Sequence, residues 1–269
     1  MQSLRTLQQL RDEREANQTG TVDGFDVDFG VKGGELNETS RAPRTVDYYS
    51  LGNDIGQAAD NVVRVCQELS AVSAITEPTA NLGVAQPTHP CPLDGVWRLL
   101  FTNSADAVFT KNSKRGPAST YVVIEGEKGK ITNIIDFAAA AEDSTSPPPA
   151  LSRLEVVLRA DTDDENPRRV NLQFRYVKAL LTRLFFLPLF GRTVPLYIPV
   201  PGPFITRIIV TISRLIRWIL RRKSPPPTIP KAYFDVLYLD NQLRIQETAQ
   251  GNLFVQAKDD WKEATPLFQ

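Results

Sequence analysis

The sequence is poor in the residues that carry most protein chemistry. There are two cysteines, one histidine and one methionine in 269 residues. Cys66 and Cys91 cannot build a disulfide framework, and their spacing fits no metal pattern. They read as two small, semi-buried thiols of a protein from a reducing compartment. His89 lies in a proline loop, Pro87-Thr88-His89-Pro90-Cys91-Pro92, with no base or metal ligand beside it in the chain. A glycine-rich phosphate loop, a nucleophile elbow, a metal-ligand cluster and a paired-carboxylate motif are all missing. The acidic run Asp161-Thr162-Asp163-Asp164-Glu165 lacks the glycine and closing glutamate of a calcium loop. The expectation is a protein that is not an enzyme and carries neither a metal nor a cofactor.

A transmembrane run is missing too. The apolar stretch from Leu180 to Leu220 is long enough, but Arg183, Arg192, Arg207, Arg214 and Arg217 and five prolines interrupt it. A spanning helix needs about 20 mostly apolar residues with no charge near its centre. The N-terminus, MQSLRTLQQLRDEREANQ, has no apolar secretory core and is too acidic after Arg11 for a good organelle transit peptide.

The most informative absence is one of sign. Lys plus Arg and Asp plus Glu balance at 31 each, yet no acidic residue occurs between Glu165 and Asp235. That stretch holds thirteen basic residues, from Arg168 and Arg169 through Arg221, Arg222 and Lys223 to Lys231. Like charges gathered on one segment repel unless something neutralises them, so a partner with a negative surface is expected. Pairing with the acidic remainder of the chain is the competing reading.

What is present begins with residues 1–45, expected to be poorly ordered apart from a short helical opening up to Glu15. Residues 46–269 read as one domain. From Asp47 to Ile75 the apolar residues Ile55, Ala59, Val62, Cys66, Leu69 and Val72 recur at three- and four-residue steps, which predicts an amphipathic helix ending before Pro78. Eight strand candidates follow, at 96–102, 119–126, 130–137, 152–160, 169–177, 232–239, 242–247 and 252–258. Gly-Glu-Lys-Gly at 126–129, Asp240-Asn241 and Gly251-Asn252 supply turns. A large insertion at about 179–229, closed by Pro225-Pro226-Pro227, separates the fifth and sixth strands. Eight antiparallel strands with one apolar face predict a mainly β protein, a closed up-and-down barrel of lipocalin type. A β-sandwich is the alternative.

If Trp97 points inward, alternation places Leu99 and Phe101 beside it. Comparable inward sets are Val170, Leu172, Phe174 and Tyr176, then Phe234, Val236 and Tyr238, then Leu253 and Val255. Leu99, Phe101, Leu172, Phe174, Tyr176, Phe234, Val236 and Tyr238 are therefore the candidate contacts for a small apolar ligand. An eight-stranded barrel can equally be filled by its own side chains, and periodicity does not decide between the two.

Leu93-Asp94-Gly95-Val96-Trp97-Arg98-Leu99-Leu100-Phe101-Thr102 resembles the opening strand of the plastid lipid-associated protein family, the fibrillins or plastoglobulins. Tyr238-Leu239-Asp240-Asn241-Gln242-Leu243-Arg244-Ile245, followed by Gly251-Asn252-Leu253-Phe254-Val255, resembles its closing pair of strands. The likeness covers about Asp47 to Lys258. It implies a lipocalin-like fold, a place in plastids (chloroplasts) at thylakoids or plastoglobule lipid droplets, and no catalytic centre. Gly-x-Trp in a first strand and an arginine near a last strand also look like the lipocalin arrangement in which a guanidinium crosses an indole. Trp97 and Arg244 are the expected structural pair.

Within the insertion, Phe204 to Lys223 is amphipathic. At about 100° per residue, Phe204, Ile205, Ile208, Ile209, Ile212, Leu215, Ile216, Ile219 and Leu220 fall within an arc of about 160°. Arg207, Arg214, Arg217 and Arg221 fall opposite, Trp218 flanks the apolar arc, and Arg222 and Lys223 follow. Acyl chains would take the isoleucines and anionic head groups the arginines. The expected partner is a membrane or lipid-droplet surface. The alternative is a lid over the mouth of a soluble carrier's barrel. The cationic face lacks interleaved aromatics and no nucleic-acid motif appears, so nucleic acid is not an expected partner.

Overall fold

The computed structural model describes residues 1–17, 46–73, 75–104, 118–137, 151–184, 187–188, 193–199 and 232–268. Two helices come first, α1 (Gln2–Asn17) and α2 (Asn53–Ala71). Eleven strands follow: β1 (Gly95–Thr102), β2 (Ala118–Glu125), β3 (Lys130–Phe137), β4 (Leu151–Thr162), β5 (Arg169–Leu181), β6 (Arg183–Leu184), β7 (Leu187–Pro188), β8 (Val194–Pro199), β9 (Ala232–Leu239), β10 (Leu243–Thr248) and β11 (Leu253–Lys258).

Eight of these strands close a barrel. Hydrogen-bonded neighbours run β4-β3-β2-β1-β11-β10-β9-β5, and β5 returns to pair with β4, every pairing antiparallel. Closure removes the exposed edges an open sheet would leave. β5 changes neighbours along its length: Arg169–Leu172 pair with β9, whereas Tyr176–Leu181 pair with β8. β4 and β5, at 12 and 13 residues, form a long hairpin whose far half lies beyond the reach of β9. The insertion after the fifth strand therefore begins with strands, β6 and β7 as a small hairpin and β8 along β5.

One end of the barrel is plugged. Tight turns join β2 to β3, β4 to β5 and β9 to β10 there, and the segment 75–94 folds across them. Gly129 takes a left-handed conformation (φ +54), and a Cβ at that position would stand 2.9 Å from the Ala160 carbonyl oxygen. Gly83 N–H donates to Gly126 O at 2.7 Å, tying the segment to the turn. Leu82, Cys91 and Leu93 bury against Trp97, Ile124, Ala160 and Leu239 to form the floor. At the opposite end the strands are joined by the long connections 103–117, 138–150 and 182–231, so all three leave and re-enter at one rim.

The helices cover the outside of β1, β11 and β10. The α2 stripe Ile55, Ala59, Val62 and Cys66 is buried against Leu100, Ile245, Val255 and Ala257. Val72 lies just past the helix end and is exposed. The expected helical opening is present as α1, and it is docked. α1 buries Leu4 and Leu7 in the same cluster, Gln8–Asp12 and Gln9–Glu13 are hydrogen-bonded at 2.9 Å each one turn apart, and Asn61 donates to Ser3 Oγ at 3.0 Å.

Candidate functional site

Between the plugged floor and the rim lies a cavity of about 280 Å³, close to the lower end of the usual range for ligand pockets. Its walls are mainly apolar. Leu99, Val122, Ile131, Ile135, Val156, Leu158, Leu172, Phe234 and Phe254 line it, with Ser104, Thr120 and Thr248 toward the rim. β10 contributes a polar stripe, because Arg244, Gln246 and Thr248 alternate onto the same face of one strand and all line the cavity.

Trp97 and Arg244 meet at the floor. The Arg244 guanidinium carbon stands 5.1 Å from the indole centroid, and both side chains are buried. Trp97 Nε1 donates to Leu93 O at 2.8 Å, and Lys258 Nζ also stands over the ring, 4.2 Å from its centroid. Arg244 Nε donates to Gln256 Oε1 at 2.9 Å, and a second Arg244 nitrogen donates to the same oxygen. Its remaining nitrogen, Nη1, has no partner, and neither has Gln246 Oε1. Burial pulls the Arg244 pKa from 12.5 down to about 9, with no carboxylate among the described residues to oppose it. At neutral pH the guanidinium is still charged. Burial and then the charge of Arg244 also lower the Lys258 pKa.

The candidate ligand contacts divide between three environments. Leu99, Leu172 and Phe234 line the cavity, and Val236 is buried in the interior cluster beside them. Phe101 and Tyr238 do not point inward. A bulge between Leu99 and Phe101 on β1 shifts the alternation, so Phe101 stacks on Tyr48 under the helices, ring centroids 5.7 Å apart. A second bulge, in the β9–β10 pairing, turns Tyr238 to the same outer cluster, where its hydroxyl donates to Asp240 at 2.8 Å. Leu253 and Val255 are likewise outside, and β11 presents Phe254 and Gln256 to the cavity instead. Phe174 is 45% exposed where β5 passes from one neighbour to the next. Tyr176 lies beyond the cavity, against Tyr197 of β8 at a centroid distance of 5.9 Å. Periodicity missed Gln246, Phe254 and Gln256. The signal was available, because an inward Arg244 requires an inward Gln246 two residues on.

Part of the basic stretch is neutralised internally. Arg169 forms a two-pronged pair with Asp235, 2.8 Å on each arm, and Lys178 reaches Glu155 at 3.1 Å. Phe204, Arg207, Ile208, Ile212, Arg214, Ile216, Arg217, Trp218, Arg221, Arg222 and Lys223 lie outside the described residues. The described strand that precedes them is distinctive. β8, Val-Pro-Leu-Tyr-Ile-Pro, is exposed at every position, with Leu196 at 45%, Tyr197 at 58% and Ile198 at 48%. Among the described residues no helix is long and apolar enough to cross a membrane, and no group of three or more His, Cys, Asp or Glu is placed to hold a metal ion.

The PAP_fibrillin family model matches residues 51–257, which takes in α2 and the barrel strands up to the last residue but one of β11. The chain belongs to the PAP_fibrillin family. This family is lipid-associated, generally structural in role, and linked to plastids. No match was found among curated proteins or among solved structures. The closed, lipocalin-like barrel agrees with the family and is compatible with ligand binding.

Proposed function

We propose that this PAP_fibrillin protein binds or organises apolar lipid at a plastid membrane or plastoglobule surface, without covalent chemistry. The observation that carries this reading is the placement of β8. A fully exposed, apolar strand stands at the far half of the β4–β5 hairpin, on the side of the barrel where the long connections emerge. Contiguous apolar exposure of this kind marks an interaction surface. The sequence that follows β8 carries the Ile208, Ile212 and Ile216 face and the Arg207, Arg214, Arg217 and Arg221 face, so the exposed apolar strand and the lipid-seeking segment are consecutive in the chain. Each basic residue held near an anionic leaflet contributes about 1 kcal/mol, falling with salt. The partner is an anionic lipid surface of a thylakoid or plastoglobule in the chloroplast.

Flotation of the full chain with vesicles tests this. The protein should float with vesicles containing anionic phospholipid, be released by salt, and stay behind with purely zwitterionic vesicles. Replacing Arg214, Arg217 and Arg221 with Glu should abolish flotation. Flotation that ignores vesicle charge, or no flotation at all, overturns the surface role. The cavity itself favours a second reading, a soluble carrier of a small hydrophobic ligand with the basic segment as a lid. On that reading the protein remains in the soluble fraction with lipid bound.

A further inference from the structure

The cavity is not uniformly greasy. Its deepest point is a fixed positive charge. Arg244 sits 1% exposed at the floor, its Nε and one terminal nitrogen committed to Gln256 and one face to the Trp97 ring, and its Nη1 donates to nothing. A buried ion without a counter-ion is costly, and the cation–π contact offsets only part of that cost. A lone buried charge without a counter-ion does not favour folding, so stability alone does not account for it. Water in the cavity could accept from Nη1 but could not neutralise the guanidinium.

We propose that the ligand enters head-first. It is a single-chain amphiphile whose carboxylate accepts hydrogen bonds from Arg244 Nη1 at the floor, while its hydrocarbon chain runs along Leu99, Leu172 and Phe234 to the rim. This inference rests on the lipid-binding reading and names the ligand class for it. Three features of the site select that class. Among the described residues Arg244 is the one cation lining the cavity, and Lys258, over the same Trp97 ring, does not line it; this favours a monoanion over a phosphate dianion. The walls above the floor are mainly apolar, broken only by uncharged polar side chains such as Thr120, Asn133 and Gln246. A cavity of about 280 Å³ takes a head group and part of one chain, and is too small for two chains.

The decisive comparison uses the wild-type full chain and three probes sharing a twelve-carbon chain: laurate, methyl laurate and dodecyl phosphate. Calorimetric titration should give one laurate per protein, bound at least tenfold more tightly than the methyl ester and more tightly than the phosphate. In Arg244→Met the preference for laurate over its ester should vanish while ester binding persists. Equal binding of laurate and methyl laurate to the wild type refutes the head-first carboxylate but leaves an apolar-ligand cavity standing. Tighter binding of dodecyl phosphate refutes the carboxylate in favour of a phosphorylated lipid. Failure of all three probes to bind refutes the cavity itself as a lipid site, and the head-group inference with it. Should Arg244→Met not fold, the wild-type comparison still decides.

Discussion

Replacing Trp97 with Ala removes the largest wholly buried side chain of the barrel, and three separate losses follow. The first is volume, since truncating a buried tryptophan costs about 3–5 kcal/mol because its surroundings collapse only in part. The second is the Leu93 carbonyl, which loses its 2.8 Å donor in a buried setting, worth about 1 kcal/mol or more. The third is the ring beneath Arg244 and Lys258, at 5.1 and 4.2 Å, whose removal strands two cations in a low-dielectric site for about 1–2 kcal/mol. These losses share atoms and will not simply add, so the expected total is about 5 kcal/mol. For a domain of this size that corresponds to a melting temperature lower by roughly 10–20 °C. Far-ultraviolet circular dichroism is the suitable probe, because the substitution removes one of the three tryptophans and changes the fluorescence signal itself. Trp97→Phe keeps a ring but not the N–H, and should fall between the alanine variant and the wild type. If Trp97→Ala lowers the melt by less than roughly 3 °C, Trp97 does not anchor the floor and the interior packing described above is wrong.

Three further outcomes follow from the same structure. Leu7→Asp should release α1 from the barrel wall, costing about 2–3 kcal/mol of burial, and hydrogen exchange should then show α1 exchanging fast while the barrel strands stay protected; unchanged α1 protection contradicts the docked helix. Cys66 and Cys91 are both 3% exposed, and burial pushes the Cys66 thiol up to about 11 and the Cys91 thiol upward, so the native protein should resist a thiol reagent at mildly alkaline pH and show two thiols once denatured. Glu125 accepts hydrogen bonds from Lys128 and from Lys130 (2.7 Å), which hold its carboxyl below the usual 4.5. A folded value below the unfolded one means stability present above pH 4.5 and lost as the pH falls through the depressed value. Glu125→Gln should therefore be less stable than wild type near neutrality by under about 1 kcal/mol, and the gap should close in acid; a gap that persists in strong acid contradicts the pairing.

Much of the barrel could be read from residues alone, and the parts that could not have physical reasons. The eight strands lie within a few residues of their expected bounds, because strand periodicity and the Gly-Glu-Lys-Gly and Asp-Asn turns act locally. Trp97 and Arg244 met as expected because each sits beside a strand end whose register the turns determine. The side-chain direction of Phe101 and Tyr238 was not legible. Each follows a bulge, and one extra residue reverses every face after it. On β11 both faces are apolar, Leu253 and Val255 toward the helices and Phe254 toward the cavity, so alternation could not tell inside from outside. The helix α1 was legible but its docking was not, because Leu4, Leu7 and Leu10, three residues apart, stand among polar residues on a mostly hydrophilic helix. β8 was not legible because Pro195 and Pro199 lie within it and look like spacer rather than strand, although prolines are tolerated on an edge strand.

Whether the barrel holds lipid is tested most directly by native mass spectrometry of the full chain after incubation with laurate. The wild type should gain the mass of one laurate, and Leu172→Trp, which fills the cavity from its wall, should gain none while melting as a folded protein. A wild-type protein that stays at its bare mass, or a filled variant that binds as well as the wild type, contradicts lipid binding in the barrel.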